Sequence, residues 1–154
     1  MAKSIYSGPE DCNCLAVRQA ARHITQFYDR FLAPSGLRTT QFSILAKLRR
    51  LGSMTINALA AEMVMDRTTL GRNILPLERD GLIAVEQGSR DRRSKELRVT
   101  EAGEARFRAA TKGWVQAQRQ FEAAFGAGRT TDMRAILHAV TAIELGTKAA
   151  SAEK

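Results

Sequence analysis

The chain has no long hydrophobic run. Its longest stretch without a charge is the eleven residues Leu51–Ala61, and a helical membrane span needs about 20 apolar residues. No apolar leader segment is visible within Met1–Asp11. Cysteine is scarce: Cys12 and Cys14 are the only two, too few and too close for a disulfide framework. No histidine stands beside them at metal-ligand spacing, so no metal and no cofactor is expected. Glycine and proline together are 14 of 154 residues, which excludes a low-complexity chain. A Gly-rich phosphate loop, a paired-carboxylate motif and a nucleophile elbow are all missing, so the protein is not expected to be an enzyme. These absences predict a soluble, cytoplasmic protein with no membrane association.

What is present is globular. Apolar residues make up 44% of the chain, and a chain of this size buries roughly two-thirds of its unfolded surface, enough to fold without disulfide or metal. One domain over residues 1–154 is expected. Lys and Arg exceed Asp and Glu by 24 to 16, a formal net charge of +8. An excess of that size in a small domain points to a polyanionic partner, nucleic acid first.

Periodicity divides the chain. Val17, Ala20, Ile24, Phe27, Tyr28 and Phe31 recur every three or four residues and predict a helix over about Cys14–Ala33, stopped by Pro34 and Gly36. A second helix is expected after a Thr39 or Thr40 cap, with the stripe Phe42, Leu45, Leu48, a basic tail of Lys47, Arg49 and Arg50, and Gly52 at its end. Two short helices follow. Thr55 caps the third (Asn57–Met63), and Val64–Met65 connects it to a fourth capped by Asp66. Leu70, Ile74 and Leu77 form the inner face of the fourth, Pro76 is expected to kink its last turn, and Gly81 follows as a left-handed terminator. The period then changes to two at Ile83 and Val85, and again at Leu97 and Val99, on either side of the basic segment Gly88–Lys95: a β-hairpin. Thr100 begins a long helix over Glu101–Phe125, Gly126–Gly128 breaks it, and a last helix is expected over Thr131–Lys148.

Helix, turn, helix and basic hairpin make a winged helix–turn–helix. The expected class is mainly α with a small β-hairpin wing (α+β), flanked by N- and C-terminal dimerisation helices. The lobe spans 37–100, and the flanking helices span 13–36 and 101–148. In such a fold the third helix, with Thr55 and Asn57 at its start, braces the DNA backbone while the fourth enters the major groove. Arg67, Thr68, Thr69, Arg72 and Asn73 have no part in the apolar pattern of the fourth helix and are the candidate base readers: Arg for guanine, Asn for adenine, the Thr methyl for thymine. In the wing, Arg90, Arg92, Arg93 and Lys95 are the candidate DNA contacts, with Arg93 expected in the minor groove. Asp91 is read as a residue that orders the tip by pairing with Arg93, with a plain turn-forming Asp as the competing reading.

The segment Asp91-Arg92-Arg93-Ser94-Lys95-Glu96-Leu97-Arg98-Val99-Thr100-Glu101-Ala102-Gly103 resembles the wing signature of the multiple-antibiotic-resistance regulator (MarR) family, Asp-x-Arg followed by Leu/Val-Thr-x-x-Gly. Leu59-Ala60, Leu77–Ile83, Leu37 and Gln41-Phe42 are similar to the same family, and the likeness covers about residues 14–145. Pro76 departs from the commonest pattern. The resemblance implies a homodimeric transcription regulator, usually a repressor, on a palindromic double-stranded operator. It also implies a small effector: an aromatic acid, a phenolic compound or an acyl-coenzyme A thioester. His23, Phe27, Phe42 and Trp114 are the candidate effector-binding residues, with ordinary core packing the competing reading.

Cys14 resembles in placement the reactive cysteine of the organic-hydroperoxide-sensing branch of the family. A helix N-terminus and nearby Arg18 favour a reactive thiol there, and Cys12 is a candidate resolving partner, though two residues apart is a strained ring. Burial as a small apolar side chain is the competing reading. A cysteine-based hydroperoxide sensor is thus one alternative function, and a non-specific architectural nucleic-acid-binding protein is another.

Overall fold

The computed structural model describes residues 8–145. They form α1 (Asn13–Leu32), α2 (Thr39–Leu51), β1 (Met54–Thr55), α3 (Ile56–Met63), α4 (Arg67–Arg79), β2 (Ile83–Gln87), β3 (Lys95–Val99), α5 (Glu101–Phe125) and α6 (Ala127–Ala142). The protein is mostly helical with a small antiparallel sheet, as the sequence predicts. Two compact units divide it, Met1–Gln118 and Arg119–Lys154.

Local chemistry accounts for most boundaries. Cys12 caps α1, Thr55 caps α3 by accepting the Ala58 N–H at 3.2 Å, and Asp66 caps α4. The expected threonine cap of α2 is not what forms. Arg38 occupies the cap position, and its N–H donates to the Gln41 side chain at 3.0 Å. Thr39 is the first residue of the helix, and its N–H and hydroxyl both donate to Asp29 Oδ1 of α1 at 2.7 Å. A carboxylate taking two donors satisfies the free helix end better than a lone hydroxyl, and it ties α1 to α2. The sheet also has one strand more than the expected hairpin. β1 pairs with β3 at Met54↔Leu97, giving the order β1-β3-β2, with β2 against β3 at Ile83↔Val99 and Val85↔Leu97.

The core of the first unit lies between α2, α3, α4 and the sheet. Leu32, Ile44, Leu45, Leu59, Leu70, Leu77 and Ile83 are its largest fully buried side chains. Each contributes about 1.5–3 kcal/mol by leaving water. The α4 residues Leu70, Ile74 and Leu77 are all buried, which fixes the rotation of that helix and turns its other face outward. The helix continues through Pro76 to Arg79, and Gly81 follows at φ 71°. Between α3 and α4, Val64 holds a left-handed conformation at φ 52°, which costs a β-branched residue about 1–2 kcal/mol. The tight turn compensates with the hydrogen bond from Met65 N–H to Ala60 O at 2.9 Å.

The first-unit part of α5, residues 101–118, meets the rest of that unit backbone to backbone. Thr100 donates its N–H to Leu82 O at 3.1 Å and its hydroxyl to Gly81 O at 2.6 Å, while accepting the Gly103 N–H at 3.0 Å. A Cβ at Gly103 would lie 2.1 Å from Leu82 O, and one at Gly113 would lie 2.2 Å from Phe31 O. The Thr-x-x-Gly of the wing signature is therefore a joint between the end of α4 and the start of α5.

In the second unit the break before α6 is the single residue Gly126 at φ 99°, so α6 begins at Ala127 and not at Thr131. Phe121 stacks near Phe125 at 5.5 Å, and the Arg129 guanidinium lies 4.2 Å from the Phe125 ring centre. Ile136, Leu137 and Val140 are exposed on α6, as is Ile143 just beyond it. Residues 146–148 of the expected last helix lie outside the described residues.

Two glycine substitutions should move stability in opposite directions. Gly103→Ala must push α5 from Leu82 and is expected to cost about 1–3 kcal/mol. Gly71→Ala, where an added Cβ meets nothing within 4 Å, should raise stability by about 0.5–1 kcal/mol, since alanine is the better helix former. Thermal melts of both variants check the pair; a Gly103→Ala protein melting at the wild-type temperature would contradict the joint.

Candidate nucleic-acid interface

The outward face of α4 follows from the burial of its inner face. Arg67, Thr68, Thr69 and Arg72 are exposed and Asn73 is half-buried. Two of these five have partners inside the protein. Thr69 donates its N–H to Asp66 Oδ1 at 2.8 Å and its hydroxyl to Asp66 Oδ2 at 2.6 Å. Asn73 Nδ2 donates to Thr69 O at 2.9 Å. These bonds order the first turns of the helix and hold the side chains of Thr69 and Asn73 along the backbone. Arg67, Thr68 and Arg72 have no such bond among the described residues. The Thr69 bonds, side chain first, hold the Asp66 carboxyl below its ordinary value. At the start of α3, Asn57 is exposed and Thr55 is committed to its cap.

The wing tip is ordered by its own backbone. Gly88 N–H donates to Ser94 O at 2.9 Å, Ser94 N–H and hydroxyl both donate to Asp91 O at 3.1 and 2.8 Å, and Gln87 Nε2 donates to Arg92 O at 2.8 Å. Asp91 does order the tip, but through the Arg93 backbone N–H at 2.9 Å and not through the Arg93 guanidinium. Gly88 is buried under the turn, where a Cβ would stand 2.6 Å from Asp91 O. Arg90, Arg92, Arg93 and Lys95 are exposed, and none is in an ion pair among the described residues. Below the tip, Arg98 grips Glu86 across the hairpin at 2.6 Å, and that bond holds the Glu86 carboxyl below its ordinary value.

Between α2 and α5 lies an open pocket of about 370 Å³ lined by Phe42, Ser43, Ala46, Lys47, Arg50 and Trp114. Of the four sequence-predicted effector residues, Phe42 and Trp114 meet there. His23 is exposed on α1, and Phe27 packs against Tyr28 and Phe31 at 5.8 and 5.1 Å. Lys47 and Arg50 complete the lining; they were visible in the sequence only as the basic tail of α2. The aromatic wall extends into the lobe. Phe42 lies 6.0 Å from Trp114 and stacks on Phe107 at 4.6 Å, and the Arg49 guanidinium caps Phe107 at 4.2 Å while bonding Glu104 at 2.6 Å.

Cys12 and Cys14 are both exposed. Cys12 is the helix cap, its Sγ accepting the Leu15 N–H at 3.4 Å, and Cys14 sits in the first turn. Among the described residues, no helix is long and apolar enough to cross a membrane, and no group of three or more His, Cys, Asp or Glu could hold a metal ion.

A helix–turn–helix with a basic, hydrogen-bonded wing defines the class of winged-helix DNA-binding regulators. The MarR family profile matches residues 37–95. The transcriptional regulator MosR of M. tuberculosis, solved in complex with DNA, is 38% identical over 88% of this chain and 100% of its own, with a TM-score of 0.74. YwoH of Bacillus subtilis, an HTH-type transcriptional regulator, is 32% identical over 59% of this chain. That match spans 66% of YwoH, just under two-thirds. BpsR of Bordetella bronchiseptica, whose DNA binding is regulated by 6-hydroxynicotinic acid, is 18% identical over 90% of this chain and 99% of its own and shares the fold at a TM-score of 0.79. The chain belongs to the MarR family of DNA-binding transcription regulators.

The depressed Asp66 carboxyl sets a pH dependence. A carboxylate held below its unfolded value of about 3.8 stabilises α4 above that value and loses the effect as pH falls through the folded one. Asp66→Ala should therefore melt below wild type at pH 7, and the gap should close under acid. Melting curves across pH 3–7 check this, and a gap independent of pH would assign the loss to something other than the charge.

Proposed function

We propose that this protein is an effector-responsive repressor that binds a palindromic operator as a homodimer, with α4 in the major groove and the wing in the minor groove. One observation carries the reading: Thr68 and Arg72 stand free on the outer face of α4, in the same lobe as a pre-ordered wing bearing Arg90, Arg92, Arg93 and Lys95. Arg72 pairs with a guanine, and Arg67 stands at the helix start for a base or phosphate. Thr69 and Asn73, committed to backbone bonds, act by ordering the helix unless DNA exchanges those bonds. Asn57 and Thr55 approach the sugar–phosphate backbone, where a helix N-terminus suits a phosphate. Arg93 enters the minor groove, where a narrow tract concentrates negative potential.

Dimerisation is supported by apolar side chains left in solvent in each unit: Leu15 and Val17 on α1, and Ile136, Val140 and Ile143 in the second unit. Ile136 and Val140, four residues apart, share one face of α6, and exposed apolar surface of this kind is what a second copy covers. Half-sites should then be centred about one turn, roughly 10 base pairs, apart.

The effector is a small aromatic acid or phenol in the α2–α5 pocket. Phe42 and Trp114 supply flat walls, and Arg50 a cation with no ion-pair partner among the described residues. 6-Hydroxynicotinic acid, which regulates BpsR, has that chemistry. An acyl-coenzyme A thioester is much larger than the pocket. A second reading rests on the exposure of both Cys12 and Cys14 at the start of α1. An organic hydroperoxide gives one oxygen to the Cys14 thiolate, leaving as the alcohol, and the Cys12 thiol then displaces water to form a disulfide, releasing DNA.

A duplex selected from a randomised pool tests the DNA reading. Arg72→Ala should cost about 1–3 kcal/mol on that duplex and relax the preference at one base. Arg93→Ala should abolish tight binding with an unchanged melting temperature, since an exposed tip adds little to the core. Binding should weaken steeply with salt, and light scattering should report a dimer. A monomer, or equal affinity for all duplexes, would overturn the proposal. Inducer assays separate the two effector readings: release by aromatic acids, lost in Trp114→Ala, is expected. Release by organic hydroperoxide that Cys14→Ser abolishes would instead establish the cysteine sensor.

A further inference from the structure

Leu75 is the large apolar side chain of α4 left in solvent, 63% exposed. Residues 68, 72, 75 and 79 of a helix fall within about 60° of arc. Leu75 therefore shares one stripe with Thr68, Arg72 and Arg79, all exposed and all opposite the buried Leu70, Ile74 and Leu77. One turn before it stands Gly71, where an added Cβ would meet nothing within 4 Å. Glycine weakens a helix interior, and no neighbour among the described residues requires the missing side chain. A helical side chain lies over the turn preceding its own Cα, so Leu75 leans toward Gly71 from the C-terminal side while Thr68 stands one turn before it, both more than 4 Å from where a Cβ at Gly71 would be.

We propose that Thr68, Gly71 and Leu75 form an apolar notch that takes the C5-methyl group of a thymine, making Leu75 a specificity-determining residue. The inference rests on the reading of α4 as the major-groove helix. The thymine methyl neither donates nor accepts a hydrogen bond, so an apolar surface reads it where Arg72 cannot. A phosphate in the same place would need donors, and the notch offers the Thr68 hydroxyl alone. The bare Cα of Gly71 lets the helix come a methyl's width closer to the base edge than alanine would.

The test uses a duplex selected by the wild-type protein from a randomised pool, with each thymine replaced in turn by deoxyuridine, which lacks only the methyl. Wild type should lose three- to fivefold in affinity at one thymine, roughly the factor carried by burying one carbon group. Leu75→Ala should bind the thymine and deoxyuridine duplexes equally, at an unchanged melting temperature. Gly71→Ala should bind the thymine duplex more weakly than wild type while melting at or above it, which separates a filled notch from a damaged fold. Indifference of wild type to every replacement, or full deoxyuridine sensitivity retained by Leu75→Ala, would overturn the notch alone. A pool that enriches no sequence would overturn the notch together with the DNA-reading role of α4.

Discussion

The joint at Gly81, Leu82, Thr100 and Gly103 is the constraint on which the rest of the lobe depends. Thr100 spends its N–H and hydroxyl on two consecutive carbonyls just after α4, and it caps α5 with the same oxygen. Gly103 brings the α5 backbone against Leu82 O, with no room for a side chain. The end of α4, the base of the wing and the start of α5 therefore meet within a few residues. Leu82, Ile83 and Leu97 are buried around them. α5 is thereby close-packed against the end of α4 and the base of the wing, where the backbone has nowhere to yield.

A second connection runs through side chains. The array Trp114, Phe42, Phe107 and Arg49, with Glu104 closing it, leads from the wall of the α2–α5 pocket toward the first turn of α5. None of its steps is strong alone. An aromatic pair adds about 0.5–1.5 kcal/mol beyond its area, and a partly exposed cation–π contact adds about 0.5–1 kcal/mol. The importance of the array lies in continuity: the pocket wall and the joint are two ends of one packed row. Phe42 and Trp114 are thus joined through direct side-chain contacts to the segment that fixes α4 and the wing.

The outer face of α4 and the wing tip show a division of labour among polar side chains. Asp66, Thr69 and Asn73 serve the helix, and Asp91, Ser94 and Gln87 serve the wing backbone. The cations are spared from both networks: Arg72 on the helix, and Arg90, Arg92, Arg93 and Lys95 on the wing. Pre-ordering by short polar residues reduces the entropy lost when long cationic chains engage a partner.

Much of this was legible in the chain itself. Hydrophobic periodicity marked every helix, the Thr55 and Asp66 caps stood where helices begin, and the basic segment Gly88–Lys95 lay between two runs of period two. Such features depend on residues within a turn or a hairpin of one another, so spacing suffices to read them. What the tertiary structure alone decided are meetings between distant segments. Asp29 took the α2 end from the expected threonine cap, β1 joined the sheet opposite Leu97, and Gly103 and Gly113 became close approaches. Phe42 and Trp114 gained Lys47 and Arg50 as neighbours while His23 and Phe27 stayed away. Spacing sets which face of a helix a side chain occupies, but which helix that face meets depends on how the cores close, and no local pattern encodes that distance.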